Sequence, residues 1–278
     1  MTPDFARLTG HRAVELSAGA MPLARLDTGT VVLAKRGSGP DAVRAELAGL
    51  RWLADSRTVP VPEIHGSDAD WLVIERIETG PPTGAAAERL GRGLAALHRS
   101  GAPAFGSSPP DGPVEAWIGS APMRNVTGPS WPEWYAEHRV EPYLRRAVDN
   151  GLLARSQAAI IRQACDRLPG LAGPAEPPAR LHGDLWSGNV LWGVDGRAWL
   201  IDPAAHGGHR ETDLAMLHLF GCPQLDRILA GYQQVAPLAT GWSARIGLHQ
   251  LFPLLVHTVR FGGGYADRAV AAARSALG

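Results

Sequence analysis

The segment Thr79-Gly-Pro-Pro82 separates two parts of the chain with different patterns, and this constrains the fold more than any other feature. Before it, short β-prone runs are separated by glycine and turn residues, as in the hairpins of a small antiparallel sheet. After it, most runs have the period of amphipathic helices. Because proline and glycine interrupt both patterns, we place a boundary here and predict two units, residues 1–78 and 79–278.

The first unit is predicted to contain a twisted antiparallel sheet and one helix. Its β-prone runs cover residues 14–16, 23–26, 30–34 and 70–75. A helix begins after Asp41, a residue type that favours the N-cap position, and continues with apolar residues at helical spacing to Ala54. Lys35 ends the third β-prone run, and Glu46 lies in the helix that follows it.

The second unit is predicted to be mainly helical, which makes the whole chain α+β. Helices are expected over residues 85–99, 133–148 and 152–168, and from about residue 211 to the end. A hairpin is expected where residues 189–192 and 198–201 flank Asp195-Gly196, a dipeptide typical of tight turns. Residues 102–132 are rich in proline, glycine and serine, and we interpret them as an ordered excursion instead of a linker.

Two carboxylates and an amide surround this hairpin in the order Asp184, Asn189, Asp202. Phosphoryl transfer from ATP needs one carboxylate to orient the acceptor hydroxyl and take its proton, and a second carboxylate with an amide to hold Mg²⁺. Mg²⁺ prefers such hard oxygen ligands. The spacing equals that of the kinase catalytic loop and the metal-binding aspartate after it. Any one of these residues alone would indicate only a turn.

Lys35 supports the same interpretation because it is the only lysine among 27 basic residues. A single lysine in an arginine-rich chain indicates a site that needs a compact ammonium instead of a planar guanidinium, although chance retention at the surface is the alternative. A lysine on a strand and a glutamate on the next helix are also the kinase groups that grip the phosphates of ATP. The complete set favours a kinase.

A more specific likeness lies in residues 181–192, L-H-G-D-L-W-S-G-N-V-L-W, followed by I-D-P-A at 201–204 and G-H-R-E at 208–211. Together with W-P-E-W-Y at 131–135, these residues resemble the fructosamine kinase (ketosamine 3-kinase) family. That family belongs with the aminoglycoside phosphotransferases in the protein-kinase-like fold. The resemblance implies two lobes, a small antiparallel β lobe and a larger helical lobe, with ATP and Mg²⁺ between them.

The resemblance also implies roles for the motif residues. It makes Asp184 the catalytic base, and Asn189 and Asp202 the magnesium ligands. The implied reaction phosphorylates the sugar 3-hydroxyl of a ketosamine, such as a fructosamine or ribulosamine, so that the adduct becomes unstable and the amine is released.

An ATP site is implied in the first unit. Lys35 would bind the phosphates, with Glu46 as its partner. The backbone that would hydrogen-bond adenine is the hinge formed by Glu75, Arg76 and Ile77. The family often has a Gly-Gly pair in the first hairpin, whereas here only Gly19 in the stretch 17–21 is fully permissive.

Three further residues are candidates for contact with the acceptor. Trp186 could form a wall for a sugar or could pack against apolar neighbours. His209 and Arg210 could reach the substrate or a phosphate, or Arg210 could pair with a nearby acid. Asp213 is expected to brace the loop that carries Asp184 rather than to take part in the chemistry.

Two other functions stay open: a phosphotransferase for aminoglycosides or other amino alcohols, and a non-catalytic nucleotide-binding module. The net charge of zero provides no electrostatic footprint for nucleic acid or an anionic membrane. No apolar run is long enough to span a bilayer, no secretory signal is visible, and the two cysteines suit neither a disulfide framework nor a metal site. We therefore expect a cytoplasmic protein with a small-molecule partner and leave its oligomeric state open.

Overall fold

Residues 2–278 are described by a computed structural model. The first part of the chain contains one five-stranded antiparallel sheet and two helices. The elements of this part are α1 (Phe5–Thr9), β1 (Ala13–Ser17), β2 (Leu23–Leu26), β3 (Val31–Arg36), α2 (Ala42–Asp55), β4 (Ile64–Ser67) and β5 (Trp71–Glu75). The strand order is β1-β2-β3-β5-β4. The β-rich first part is confirmed, and β4 is a strand that the sequence pattern did not indicate.

Side-chain alternation gives the sheet two apolar faces, each covered by a helix. The face that contains Val32 packs against α1, whereas the face that contains Leu72 and Ile74 packs against α2. Lys35 stands directly opposite Leu72 in the pairing of β3 with β5, so both lie on the α2 face. The period of β3 therefore directs the lone lysine towards the helix that carries Glu46.

The rest of the chain is mainly helical. Its elements are α3 (Gly84–Arg99), β6 (Glu115–Ile118), β7 (Ala121–Arg124), α4 (Trp131–Tyr135), a π-helical turn (Ala136–Val140), α5 (Glu141–Asp149), α6 (Arg155–Asp166), α7 (Leu168–Leu171), β8 (Ala179–Leu181), a 3-10 turn (Ser187–Asn189), β9 (Val190–Trp192), β10 (Ala198–Leu200), β11 (His206–Gly208), α8 (Glu211–Leu219), α9 (Leu225–Val235), α10 (Trp242–Phe261) and α11 (Tyr265–Leu277). Three two-stranded pairs, β6–β7, β8–β11 and β9–β10, lie among these helices.

Two hydrophobic clusters stabilise the helical part. One joins α4, α5, α6, α10 and α11 with the β6–β7 hairpin. The other joins α3 and α9 with the β9–β10 hairpin. The hairpin between Asn189 and Asp202 therefore rests on a fully buried core, which fixes the two residues at its ends.

Several predicted boundaries differ from the structure for local reasons. The helix expected over 133–148 is interrupted by the π-helical turn, which ends just before Pro142, a residue with no N–H to continue the helical ladder. The excursion at 102–132 contains the β6–β7 hairpin, which was not predicted. Asp41 occupies the N-cap position of α2, but with a left-handed φ of 55° and no side-chain hydrogen bond to the helix.

The predicted division into residues 1–78 and 79–278 falls between β5, which ends at Glu75, and α3, which begins at Gly84. It stays a prediction. Among the helices within residues 2–278, none combines the length and the apolar character needed to cross a membrane.

Candidate active site

Lys35 connects three segments that are far apart in the sequence. Its Nζ donates to Glu46 Oε1 at 2.5 Å and to Asp202 Oδ1 at 2.6 Å. Burial alone would lower the pKa of Lys35, but the two carboxylates outweigh burial and raise it. The ammonium therefore stays charged, and the structure brings together the lysine and glutamate that the sequence pattern paired.

Asp184 and Asn189 lie five positions apart in the loop 182–189. Asn189 Nδ2 donates to the Asp184 carbonyl oxygen at 2.8 Å and lies 3.3 Å from Asp184 Oδ2. Because the amide nitrogen is engaged within the loop, the amide oxygen is the atom left to bind a cation. Asp184, Asn189 and Asp202 all line one cavity.

Asp202 has a left-handed backbone, with φ of 55°. A non-glycine residue in this region is strained by about 1–3 kcal/mol, and such strain concentrates at functional sites. The residue lies two positions after the end of β10, and the turn of the chain there directs its carboxylate to Lys35. The hairpin beneath it supplies the packing that holds the strained residue in place.

Asp213 braces the loop from below. Its carboxylate accepts hydrogen bonds from the backbone N–H groups of His182 at 2.8 Å and Gly183 at 2.9 Å. Burial would raise the pKa of Asp213, but hydrogen bonds from His98 and Gly183 lower it. The His182 ring lies 2.9 Å from the carbonyl oxygen of Ile201, on the far side of the hairpin. Asp213 and His182 thus have positioning roles, in agreement with the expectation for Asp213.

The protonation of Asp184 is set by its surroundings. Burial and the neighbouring Asp202 raise the pKa of Asp184 to about 7, while Arg260 and the Asn189 amide oppose this shift. A carboxylate whose pKa is near the working pH is suited to accept a proton from a hydroxyl.

The cavity at this site has a volume of about 330 Å³ and is lined by segments from both parts of the chain. β3 and α2 contribute one side, the loop 182–189 and the residues after Asp202 form the base, and the β6–β7 hairpin and the end of α10 form the other side. Trp186 lines the cavity and also packs edge-on against Phe220, with ring centroids 5.8 Å apart. Both roles considered for Trp186 are therefore compatible with its position.

The structure does not bring His209 and Arg210 to the cavity, so it gives no support to their contact with a substrate, which stays a prediction. His209 is 3% exposed and packs against the rings of Trp131 and His249. Arg210 donates to both carboxylate oxygens of Glu176, at 2.6 and 2.7 Å, instead of to the nearby acids considered from the sequence. Pairing of β11 with β8 carries the chain away from the cavity immediately before these residues.

His209 also belongs to a buried group, with Glu211 and His249, whose side-chain atoms are close enough together to hold a metal ion. Arg245 already occupies the Glu211 carboxylate, with hydrogen bonds of 2.9 and 2.5 Å. Burial would raise the pKa of Glu211, but its contacts with His249 and Arg245 outweigh burial and lower that pKa to about 2. The group is thus a neutralised internal network that ties α8 to α10.

Gly19 and the hinge residues, which were expected to contribute to the ATP site, lie outside the cavity. Gly19 is at the turn between β1 and β2, with φ of 133° and open space where a Cβ would be. In the hinge, the N–H of Glu75 donates to the Glu63 carbonyl at 2.8 Å and that of Arg76 donates to the Val31 carbonyl at 2.9 Å. Both N–H groups are thus committed within the sheet. Gly19 and the hinge of Glu75, Arg76 and Ile77 stay predictions.

Several cavity residues were not identified from the sequence, and three of them have polar side-chain groups that could meet a ligand. Arg260 lines the cavity from the end of α10, and Trp117 and Ser120 line it from the β6–β7 hairpin. Trp117 Nε1 donates to the Pro40 carbonyl at 2.9 Å, which connects this hairpin to the start of α2. No local motif marks these residues, because their position depends on contacts between distant segments.

Gly183 has no room for a side chain. Its φ is +83°, and a Cβ would lie 2.1 Å from the Ala204 carbonyl oxygen. We predict that Gly183→Ala lowers the free energy of unfolding by about 2–5 kcal/mol and also lowers turnover, because overpacking and a left-handed backbone act together. Gly170→Ala is the control, since a Cβ there meets nothing within 4 Å. Equal denaturation midpoints for the two variants would contradict this account.

His206 is predicted to make stability depend on pH. Burial and the nearby Arg139 lower its folded-state pKa to about 3, so below the unfolded value of about 6.5 the unfolded chain binds more protons and the folded state loses stability. Between pH 7 and 5, the unfolding free energy of the wild type should fall by about 2 kcal/mol more than that of His206→Asn. Denaturant titrations of both proteins at the two pH values measure this difference, and identical pH dependence would contradict it.

Comparison with known proteins places this site in a family context. A sequence model described as fructosamine kinase matches residues 27–277. A probable ketoamine kinase of Synechocystis is 35% identical over 232 residues, which are 81% of this chain and 75% of the relative. A chloroplastic protein-ribulosamine 3-kinase of Arabidopsis thaliana is 31% identical over 250 residues, or 86% of this chain and 73% of the relative.

Solved structures agree with these matches. A Thermobifida fusca crystal structure, whose name gives fructosamine-3-kinase as the expected activity, has a TM-score of 0.89 and 48% identity, and the match covers 98% of this chain and 96% of that one. A thermostable mutant of an aminoglycoside phosphotransferase has a TM-score of 0.61 at 19% identity, covering 96% and 95% of the two chains. The latter shows the shared kinase-like fold alone.

Proposed function

The chain belongs to the fructosamine kinase family, and from this premise we propose that it uses ATP and Mg²⁺ to phosphorylate the sugar 3-hydroxyl of a ketosamine. Membership makes the protein a kinase with a small-molecule ketosamine as its substrate. The observation that carries the finer proposal is the bridge from Lys35 to Glu46 and Asp202, next to Asp184 in the same cavity. These groups are the ones that phosphoryl transfer needs.

ATP binding is supported by the α2 face of the sheet. Val14 stands opposite Arg25, which in turn stands opposite Val31, so these residues share the face of Lys35. Val14 and Leu16 are 68% and 49% exposed although both are apolar. An exposed apolar surface beside a buried lysine suits a nucleotide whose base packs on the strands and whose phosphates reach the ammonium.

The oxygen atoms of Asp202 and Asn189, on the side of the cavity where the Lys35 ammonium lies, suit a magnesium ion. Asp202 would hold the ion together with Asn189, whose amide nitrogen is already engaged and whose oxygen is left as a ligand. When bound, the ion neutralises the charge that develops on the phosphates. These oxygen ligands differ from the thiolate and imidazole ligands that zinc prefers.

Asp184 would accept the proton of the attacking hydroxyl. Its raised pKa, about 7, lets the carboxylate take up that proton near neutral pH. Phosphorylation at the 3-position converts a poor leaving group into a good one close to the carbonyl of the ketosamine. The adduct can then decompose and release its amine, which makes the reaction a deglycation step.

A second candidate, phosphorylation of an aminoglycoside or another amino alcohol, keeps the same fold and chemistry. A polycationic acceptor calls for acidic groups beyond the catalytic set. Within the described chain, the carboxylates that line the cavity are Glu46, Asp184 and Asp202, all of which have roles in the proposed transfer. Because no further carboxylate of the described residues lines the cavity, its charge favours a ketosamine over a polycationic acceptor.

ADP release from Mg-ATP tests the proposal on a panel of fructosamines, ribulosamines and aminoglycosides. We expect turnover on the ketosamines. Turnover on aminoglycosides alone would transfer the protein to the second function. ATP-dependent thermal stabilisation without ADP formation on any acceptor would indicate a nucleotide-binding module instead.

A further inference from the structure

Arg260 is a cation on the part of the cavity wall that the β6–β7 hairpin and α10 form. It lies in the last turn of α10, and its Nε donates to Ser120 Oγ at 3.0 Å. The guanidinium packs against Gly119, where a Cβ would lie 2.3 Å from Nη1, at a turn with φ of 56°. Helix and hairpin therefore hold this side chain in a defined place.

No carboxylate of the described residues contacts Arg260 directly, although its charge acts on Asp184 and opposes the rise in the pKa of that carboxyl. In the part of the chain that the structure describes, its side chain contacts the Ser120 hydroxyl and the Phe261 ring and forms no ion pair. Lys35, the buried cation of the same cavity, is instead held between two carboxylates. The Nη groups of Arg260 are therefore the donors that remain for a ligand.

The position of Arg260 indicates which part of a ligand it would meet. Lys35 and Asp202 mark the phosphate end of the cavity, and Asp184 marks the hydroxyl that attacks. Arg260 and Ser120 lie on the wall formed by the β6–β7 hairpin and α10, as does the approach to Trp186. A group that reaches Arg260 thus lies on the Asp184 side of the cavity, where the acceptor that carries the attacking hydroxyl would bind.

We propose that Arg260 and Ser120 form a subsite for a carboxylate of the acceptor, so that the substrate class is the ketosamine of a free amino acid. This inference rests on the proposed function. The planar guanidinium matches a carboxylate in geometry as well as in charge. A cavity of about 330 Å³ suits a small molecule. A lysine within a protein has its α-carboxyl group in a peptide bond, so a ketosamine on its side chain offers no α-carboxylate.

A matched pair of acceptors tests this subsite: the fructosamine of glycine and that of glycinamide, which differ in the carboxylate. The wild type should have a KM about 10–100-fold lower for the glycine compound, with similar kcat. Arg260→Gln should remove this preference by raising the KM for the glycine compound alone, and Arg260→Lys should restore part of it. The KM for ATP should not change in either variant.

Arg274→Gln removes the same charge from an exposed position on α11 and is the control for net charge. Equal KM values of the wild type for the two fructosamines would overturn the inference, and this comparison does not depend on whether any variant folds. Retention of the preference in Arg260→Gln, whatever its kcat, would show that Arg260 does not bind the carboxylate and would also overturn the inference. Absence of turnover on both fructosamines and on neutral ketosamines would instead remove the proposed function on which the inference rests.

Discussion

Asp184→Asn is expected to lower kcat by about 10²–10⁴-fold, the usual contribution of a general base. The substitution keeps the shape of the side chain and its hydrogen bond with Asn189, so ATP binding should persist. Because burial and Asp202 raise the pKa of Asp184 to about 7, charge at this position is unfavourable in the folded state. The neutral amide should therefore leave the melting temperature unchanged or raise it. Active-site residues often lower the stability of an enzyme in this way.

Steady-state kinetics and thermal unfolding of the same preparation separate these effects. Reduced turnover with an unchanged or higher Tm identifies a catalytic loss, whereas reduced turnover with a lower Tm identifies structural damage. Near-normal kcat would remove Asp184 as the base.

Lys35→Arg is expected to lower kcat/KM for ATP by about 10²–10³-fold, similar to the loss of one preorganised electrostatic group. The ammonium lies within 2.6 Å of carboxylate oxygens of both Glu46 and Asp202. The larger, planar guanidinium cannot occupy this space as a compact charge, so it should displace Asp202 from the position suited to a cation. Because the variant keeps the positive charge, it tests whether the size and geometry of the cation matter.

Arg99→Lys, at the exposed end of α3, is the control for exchange of one basic side chain for the other. It should have wild-type kinetics. Unchanged kcat and KM for ATP in Lys35→Arg would contradict the role given to Lys35.

The sequence was sufficient to predict which residues lie together around Lys35 and Asp184, because short-range patterns determine their positions. Asn189 and Asp202 lie at the ends of one hairpin, so the turn signal between them also sets how the two residues meet. Lys35 and Glu46 lie on adjacent elements, and the two-residue period of β3 is enough to aim the lysine at α2. The β-rich first part and the helical remainder followed from hydrophobic periodicity.

The outer part of the site could not be predicted in the same way. Arg260 and Ser120 meet across 140 positions of the chain, through a hairpin within a proline- and glycine-rich segment that carries little periodicity. The places of His209 and Arg210, outside the cavity, also could not be predicted. The β8–β11 pairing separates them from the cavity, and the partner of Arg210, Glu176, lies in a loop that carries no motif.

The most direct test of the central claim is the position of the phosphate in the product formed from Mg-ATP and a fructosamine. Phosphorus–proton correlation in NMR spectra identifies the carbon that carries the phosphate. The account predicts a single product, phosphorylated at the sugar 3-hydroxyl, that forms with ADP in equal amounts and later releases the free amine. Phosphate on another hydroxyl, or ADP formation without a phosphorylated ketosamine, would contradict it.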